Sequence, residues 1–500
     1  MPLSTPSASL TERVAPAARK SWTSVAADIF SFPVMCLFLL LAVLFKNLPR
    51  GIAEPDIWWH MRNARHLLQV HSFPRFDTYS LGAAGSPWMN FEWLSEIPYL
   101  LAFRAWGLRG LLGVYFAVLA LIYAGVYYRA CRAGANCKSA SLVTLLAIFL
   151  GVVSLGPRTL LFGWLCMMGL LLVLDRFQRT GNSLWLLPPL FALWINFHGS
   201  WVFGMVVLVL TITSGLVEAD WGLVVARRWT PAQLKQLLLA FVASIAALFV
   251  NPFGYKLVLY PFDLLFRQTG VMQYIEEWQP VDLSTVNGKL AMTAIFAALA
   301  AALFSRRKWR LDEALLMAFA LWAGLSHVRF LFFLGLIMTP ILATRLQLFP
   351  PYRRELDKPW LNAAIIAAVI ASVVFFFPST ASLQQRVDET FPTAALDYMQ
   401  RQHLNGRIFN ELMWGGYMEW NTPQLKPFID TRLDVFMYNG AFDDKVKIGS
   451  LQAPFETFDK LNFKYLLLRP DDPVTYAVQH SPAWRPIYAD KVAVLFERTP

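Results

Sequence analysis

Apolar runs of near-spanning length recur along most of this chain, separated by short polar linkers. The first runs from about Ile29 to Leu48. Others fall near Gly110–Tyr128, Ser139–Leu155, Thr159–Phe177, Leu184–Asn196, Trp201–Val217, Leu237–Val250, Leu290–Phe304, Ala314–Ser326, Phe330–Leu346 and Trp360–Phe377. A hydrocarbon core about 30 Å thick is crossed by roughly 20 apolar helical residues, so the pattern predicts about eleven transmembrane helices. Trp93–Trp106 is apolar but short and carries Arg104, which reads as an interfacial helix. From about Ser379 the pattern changes. Phe391–His403 and Pro454–Leu461 read as helices, GRIFN, KPFID and KYLLLR as strands, and RPIYADKVAVLFER as a strand pair around Asp490–Lys491. The predicted fold is an all-α polytopic membrane bundle with a small C-terminal α/β domain. The divisions are 1–28, a disordered N-terminus; 29–378, the membrane domain with long loops 49–92 and 251–289; and 379–500, the α/β domain.

Composition agrees. Apolar residues make up 56% of the chain, charged residues 15%, and the mean hydropathy is +0.44. A soluble domain carries about 25% charged residues. The 19 Trp and 16 Tyr suit two interfacial belts. The net charge of +11 does not indicate a nucleic-acid partner, because the basic residues sit in short linkers and not along one polar face. One set of linkers holds Arg129, Arg132 and Lys138; Arg176 and Arg179; Arg227, Arg228 and Lys235; Arg306, Arg307, Lys308 and Arg310; and Arg345, Arg353, Arg354 and Lys358. The short loops of the other set hold only Arg158 and Arg329. The rich set is assigned to the cytoplasm. That puts the N-terminus inside, makes the first run an uncleaved signal anchor, and places both long loops and the C-terminal domain on the outer face of the membrane. The cysteines offer no zinc spacing, and the C-terminal domain has none.

The first long loop opens EPDIWWHMRNARHLL. Pro55 suits a helix start and Asp56 its first turn. Trp58, Met61, Ala64 and Leu68 then share an apolar face, with Arg62, Asn63, Arg65 and His66 toward water. Asp56 and His60 are neighbours four residues apart. Asp56 is either a helix-dipole residue or a catalytic carboxylate at the membrane surface; His60 is either interfacial or part of the same site. Asp77, before Thr78 and Ser80, reads as a turn or cap. Glu92, between Phe91 and Trp93, is a carboxylate beside aromatic surface, structural or catalytic.

Arg158, His198 and Arg329 stand at the outer ends of spans, where a lipid phosphate would lie, and His327 is two residues from Arg329. Guanidinium matches phosphate geometry, while the plainer role of such arginines is to anchor in headgroups. Glu276 and Glu277 read as acceptor contacts or as a solvated turn beside Trp278. In the C-terminal domain, WGGY at Trp414–Tyr417 reads as a flexible aromatic turn able to stack on sugar. Asp430, Arg432 and Asp434 share one side if FIDTRLD is extended, as acceptor contacts or as a salt-bridge cluster.

These segments resemble a bacterial branch of the GT-C membrane glycosyltransferases. The pattern is Asp56, Trp58, Trp59 and His60; then Pro74, Arg75, Asp77 and Ser80; then Gly85 and Trp88; then Glu92, Trp93 and Leu94. NPFGYKLVLYPF with EEWQPVD, SHVRFLFFLGLIMTP, GRIFNELMWGGYMEW and FIDTRLDVF continue it, over about a third of the chain. The resemblance implies transfer of a sugar from a polyprenyl phosphate or diphosphate to a saccharide, lipid or protein acceptor on the outer membrane face. Asp56 would be the essential acid, as general base or metal ligand. Metal-dependent members carry further acids in the second outer loop. Here that loop is GPRTL, which argues against a tightly bound divalent metal, and no other cofactor is implied. Two readings stand beside it: a transporter or flippase for lipid-linked saccharides, and a non-enzymatic envelope assembly protein.

Overall fold

Each of the expected apolar runs holds a helix in the computed structural model, which describes residues 22–49, 51–154, 156–267, 270 and 273–499. The helices are Phe32–Asn47, Leu108–Arg132, Cys137–Leu150, Leu160–Thr180, Leu187–Phe197, Trp201–Ser214, Pro231–Ala247, Val286–Phe304, Leu311–Ser326, Leu331–Arg345 and Pro359–Phe376. Among the described residues six segments are long and apolar enough to cross a membrane: Val25–Asn47, Leu108–Arg132, Leu160–Thr180, Val286–Phe304, Val328–Arg345 and Pro359–Phe376. The chain is thus a mostly helical membrane protein with a small C-terminal sheet. The expectation of N-terminal disorder falls on residues 1–21, outside the described residues, and on 22–28, which are helical within Trp22–Ile29.

Local chemistry sets the helix ends. Thr230 and Gln233 form a capping box ahead of Pro231, and the Thr285 and Ser379 hydroxyls accept from Gly288 and Ser382 N–H. The linkers rich in Lys and Arg gather at one end of the bundle and bind one another. Arg129 pairs with Asp175 at 2.7 Å, Arg345 with Glu313 at 2.6 Å, and Arg310 donates to Gln178 at 2.6 Å. Asp357 accepts from the Phe32 N–H at 2.9 Å and ties the first long helix to the last. This end also holds a feature absent from the sequence expectation of an all-α bundle. Strands β1 (Ala219–Asp220), β2 (Val224–Ala226) and β3 (Trp309–Arg310) form a small sheet, antiparallel then parallel, that staples two linkers together.

The opposite end carries both long loops and the C-terminal domain. That domain is a sheet of β4 (Ile408–Asn410), β5 (Tyr465–Leu468), β6 (Trp484–Ala489) and β7 (Val494–Arg498) in the order β4-β5-β7-β6. The β4–β5 pair is parallel and the others antiparallel. Central β5 is buried on both faces, so its sequence YLLL is continuously apolar and does not alternate. KPFID, expected as a strand, forms none. Its backbone carbonyls instead accept from the first loop: Leu81 N–H donates to Pro427 at 2.8 Å and Gly82 N–H to Phe428 at 2.9 Å. Trp59, Tyr79, Ala83 and Trp88 of the first loop share one buried cluster with Phe409, Phe428, Phe458 and Phe496.

The ionic centre of this junction is Arg432, buried with 3% of its surface exposed. It donates to Asp77 at 2.8 Å, to Asp430 at 2.9 Å and to Glu419 at 3.0 Å. Asp77 also accepts from Ser80 N–H at 3.0 Å, as its expected cap role requires, so one carboxylate both shapes the first loop and binds the domain. Asp430 and Arg432, read as acceptor contacts or as a salt-bridge cluster, are interior partners of one another and are not exposed to an acceptor. Trp414 is corrected as well: it is 1% exposed and donates through Nε1 to Thr390 O at 3.1 Å, leaving no face for a sugar. The two glycines of WGGY serve close approach and not flexibility. A Cβ on Gly415 would stand 2.2 Å from Ile429 O, and one on Gly416 3.0 Å from Pro55 O, the residue before Asp56.

Removing Arg432 strands three carboxylates in a dry interior, which costs about 3–5 kcal/mol for a broken buried pair. Arg432→Met is expected to lower the thermal midpoint of the detergent-solubilised chain and open the loop–domain junction to limited proteolysis. An unchanged midpoint and digestion pattern would contradict the clamp.

Candidate active site

The helix Asp56–Val70 positions the first acid. Pro55 precedes it, Asp56 opens its first turn, and His71 ends it in the left-handed region at φ 55°. Its burial differs from the expected amphipathic pattern. His60 and Asn63 are buried as well as Trp58, Met61 and Ala64, because the helix is covered on one side by the bundle and on another by the C-terminal domain. Asp56 Oδ1 accepts from Trp59 Nε1 at 3.3 Å and from the Thr431 hydroxyl. Thr431 also accepts from Trp59 Nε1 at 3.1 Å, so a residue of the C-terminal domain completes the first turn of the helix. Oδ2 accepts no hydrogen bond from the described residues, which leaves an oriented carboxylate with one free oxygen.

Beside it lies a layer of paired histidines and glutamates. His60 Nδ1 is 2.9 Å from Glu96 Oε1, and its Nε2 is 3.6 Å from Glu92. Glu96, fully buried on Trp93–Trp106, is held by Asn63 at 3.2 Å and Asn90 at 2.8 Å. Glu92 accepts from Thr159 at 2.6 Å and meets His198 Nε2 at 3.2 Å. His198 Nδ1 accepts the Ser200 N–H at 2.9 Å, which fixes the neutral tautomer with its proton on Nε2, directed at Glu92. Burial, then the charges of Arg329 and His60, push His198 down to about 3. Burial would lower His60 too, but the hydrogen bond and charge of Glu96, with Glu92 and Asp56, outweigh it, and its proton is held above the usual range. Burial dominates at Glu92 and pushes it up to about 7 against the opposing pull of His60 and Thr159.

The cationic wall has two unlike arginines. Arg158 is neutralised, paired with Glu54 at 2.5 Å and with Glu277. Arg329 has no carboxylate partner among the described residues. It lies over the Trp278 ring at 4.6 Å and feels Glu277, Arg158, Glu92 and Asp56. His327 donates through Nδ1 to Trp278 O at 2.6 Å and holds that platform in place.

Asp56, His60, Glu92, Arg158, His198 and Arg329 therefore meet, with His327 behind Trp278. Glu276 is exposed on its turn, and its neighbour Glu277 is the one that reaches the site. Asp430, Arg432 and Trp414 lie behind the site. Glu54, Glu96, Thr159 and Thr431 were not singled out. The signal for Glu96 was a lone acid in the apolar helix WLSEIPYLL. The donors do not fit a tightly held divalent cation: Glu54 and Glu277 are spent on Arg158, and Glu92 and Glu96 on histidines. Among the described residues no group of three or more His, Cys, Asp or Glu is placed to hold one.

Glu92 binds its proton more tightly folded than unfolded. Its ionisation leaves stability untouched below about pH 4.5 and penalises the fold increasingly as pH rises through about 7, by roughly 3 kcal/mol. Glu92→Gln is expected to raise the thermal midpoint relative to the parent at pH 8 and much less at pH 5. An equal difference at both pH values would refute the assignment.

No protein-family model matches the chain, and no curated protein matches it. Solved structures share its fold, among them two of one protein. The crystal structure of ArnT from Cupriavidus metallidurans bound to undecaprenyl phosphate matches at 13% identity and a TM-score of 0.52, covering 95% of this chain and 97% of that one. The same protein in the apo state matches at 14% identity and a TM-score of 0.51, with the same coverage. At this identity the likeness is one of fold: the chain shares the fold of that ArnT over nearly the whole length of both chains.

Proposed function

We propose that this chain is a GT-C glycosyltransferase of the bacterial inner membrane. It moves a sugar from a polyprenyl phosphate or diphosphate to a hydroxyl of a saccharide, lipid or protein. All eleven long apolar segments cross the bilayer, the Lys- and Arg-rich end faces the cytoplasm, and the loops 49–92 and 251–289 with the domain 379–500 face outward. Asp56 takes the acceptor proton as the acceptor oxygen bonds to the sugar anomeric carbon. The carbon–oxygen bond to phosphate breaks, and the lipid phosphate leaves toward Arg329. The proposal requires no metal.

One observation carries this reading: Asp56, whose second oxygen accepts no hydrogen bond from the described residues, shares a cluster with Arg329, a guanidinium that no carboxylate among the described residues neutralises. A general base and a cation for the leaving phosphate are what the displacement needs. The ArnT structure bound to undecaprenyl phosphate supports a polyprenyl-linked donor. A transporter would set its charged site near the bilayer midplane. Here the charges join the loops at one end of the bundle.

Asp56→Asn is expected to insert and fold normally while transfer from a polyprenyl-linked sugar in vesicles falls by about 10²–10⁴-fold. Full activity in that variant removes Asp56 from the mechanism. Arg329→Gln is expected to lower kcat by about 10²-fold, as loss of a group stabilising developing charge does. A change confined to KM would assign Arg329 to binding alone.

A further inference from the structure

A second set of cations lies on the loop-bearing end, outside the cluster around Asp56. Arg62 and Arg65 project from the helix Asp56–Val70, and Arg104 from Trp93–Trp106. None of the three has a carboxylate partner among the described residues. Arg65 lies flat on the Trp420 ring at 3.5 Å, which fixes its guanidinium, and Arg62 and Arg104 both repel it. Arg65 is thus repelled from two sides with no acid beside it, and an anion bound among the guanidiniums would offset that repulsion. This concentration is notable at an end whose short loops hold only two bases, Arg158 and Arg329.

Their position says what kind of anion. Arg104 stands four residues before the spanning helix Leu108–Arg132, at the boundary where hydrocarbon gives way to headgroups. The same short helix exposes Leu101 and Trp106, 51% and 72% accessible, an apolar and aromatic surface suited to lipid chains and the interface. Exposed apolar and aromatic surface beside a guanidinium matches the two parts of an anionic phospholipid. Free phosphate would use only the guanidinium.

We propose that Arg62, Arg65 and Arg104, with Trp106 and Leu101 beside Arg104, bind the phosphate headgroup of an anionic membrane phospholipid. The site does not depend on the transferase reading. It anchors the interfacial helices on which Asp56 and Glu96 are carried.

The full chain in nanodiscs or detergent micelles tests this. Phosphatidylglycerol and phosphatidylcholine of identical acyl chains are titrated, with retained lipid counted by native mass spectrometry and the thermal midpoint followed in parallel. Phosphatidylglycerol is expected to bind in preference, with affinity falling roughly fivefold for each arginine replaced by glutamine. The Arg→Lys triple variant is expected to retain most of the preference, and high salt to erode it. Arg104→Gln, at an exposed position, keeps the test valid should the triple glutamine variant fail to fold. Equal retention of the two lipids, an undiminished preference in the glutamine variants, or a midpoint raised as much by inorganic phosphate alone would each overturn the proposal.

Discussion

The buried guanidinium of Arg432 is the constraint on which the rest of the outer architecture rests. It draws Asp77 from the first loop and Asp430 and Glu419 from the C-terminal domain into one dry cluster. Burying these charges is tolerated where they meet one another, so the cluster favours one arrangement of loop and domain and penalises others by several kcal/mol. That arrangement seats the Gly415–Asn421 helix against Pro55 and brings Thr431 onto Asp56. The acid's orientation is thus fixed by an ion cluster that touches no reacting atom.

The inner layer uses charge differently. Two histidines of ordinary chemistry become unlike because their surroundings differ. His60, between Glu96 and Glu92, binds its proton more tightly than an ordinary histidine, while His198, buried near Arg329, is held neutral with a fixed tautomer. The arginines divide in the same way: Arg158 is neutralised by two glutamates, and Arg329 by none among the described residues. Under the proposed transferase reading, preorganised charge of this kind leaves one cation and one carboxylate for incoming groups while the others hold the walls.

Much of the fold was legible because burial in lipid writes long apolar runs, and each such run became a helix. The asymmetry of Lys and Arg likewise marked the two ends of the bundle. Asp56, His60, Glu92, Arg158, His198 and Arg329 were legible as polar groups at helix ends or beside aromatic surface. What periodicity does not encode is which loop meets which. Glu276 and Glu277 are adjacent, and only tertiary packing turns one to Arg158 and the other to solvent. WGGY looks like a hinge unless the backbone carbonyls of Pro55 and Ile429 pressing on it are known. Asp430 and Arg432 alternate in a manner that suits an open strand, but a partner more than 350 residues away, Asp77, draws them inward.

Thr431 reaches Asp56 across 375 positions of chain. At ribosomal speeds of about 5–20 residues per second, roughly 20–75 seconds separate the synthesis of the two. During membrane insertion the acid-bearing helix is therefore made long before its partner exists. A nascent chain holds an incomplete centre until the segment around Thr431 has emerged and folded back, so the site matures well after its first acid is made.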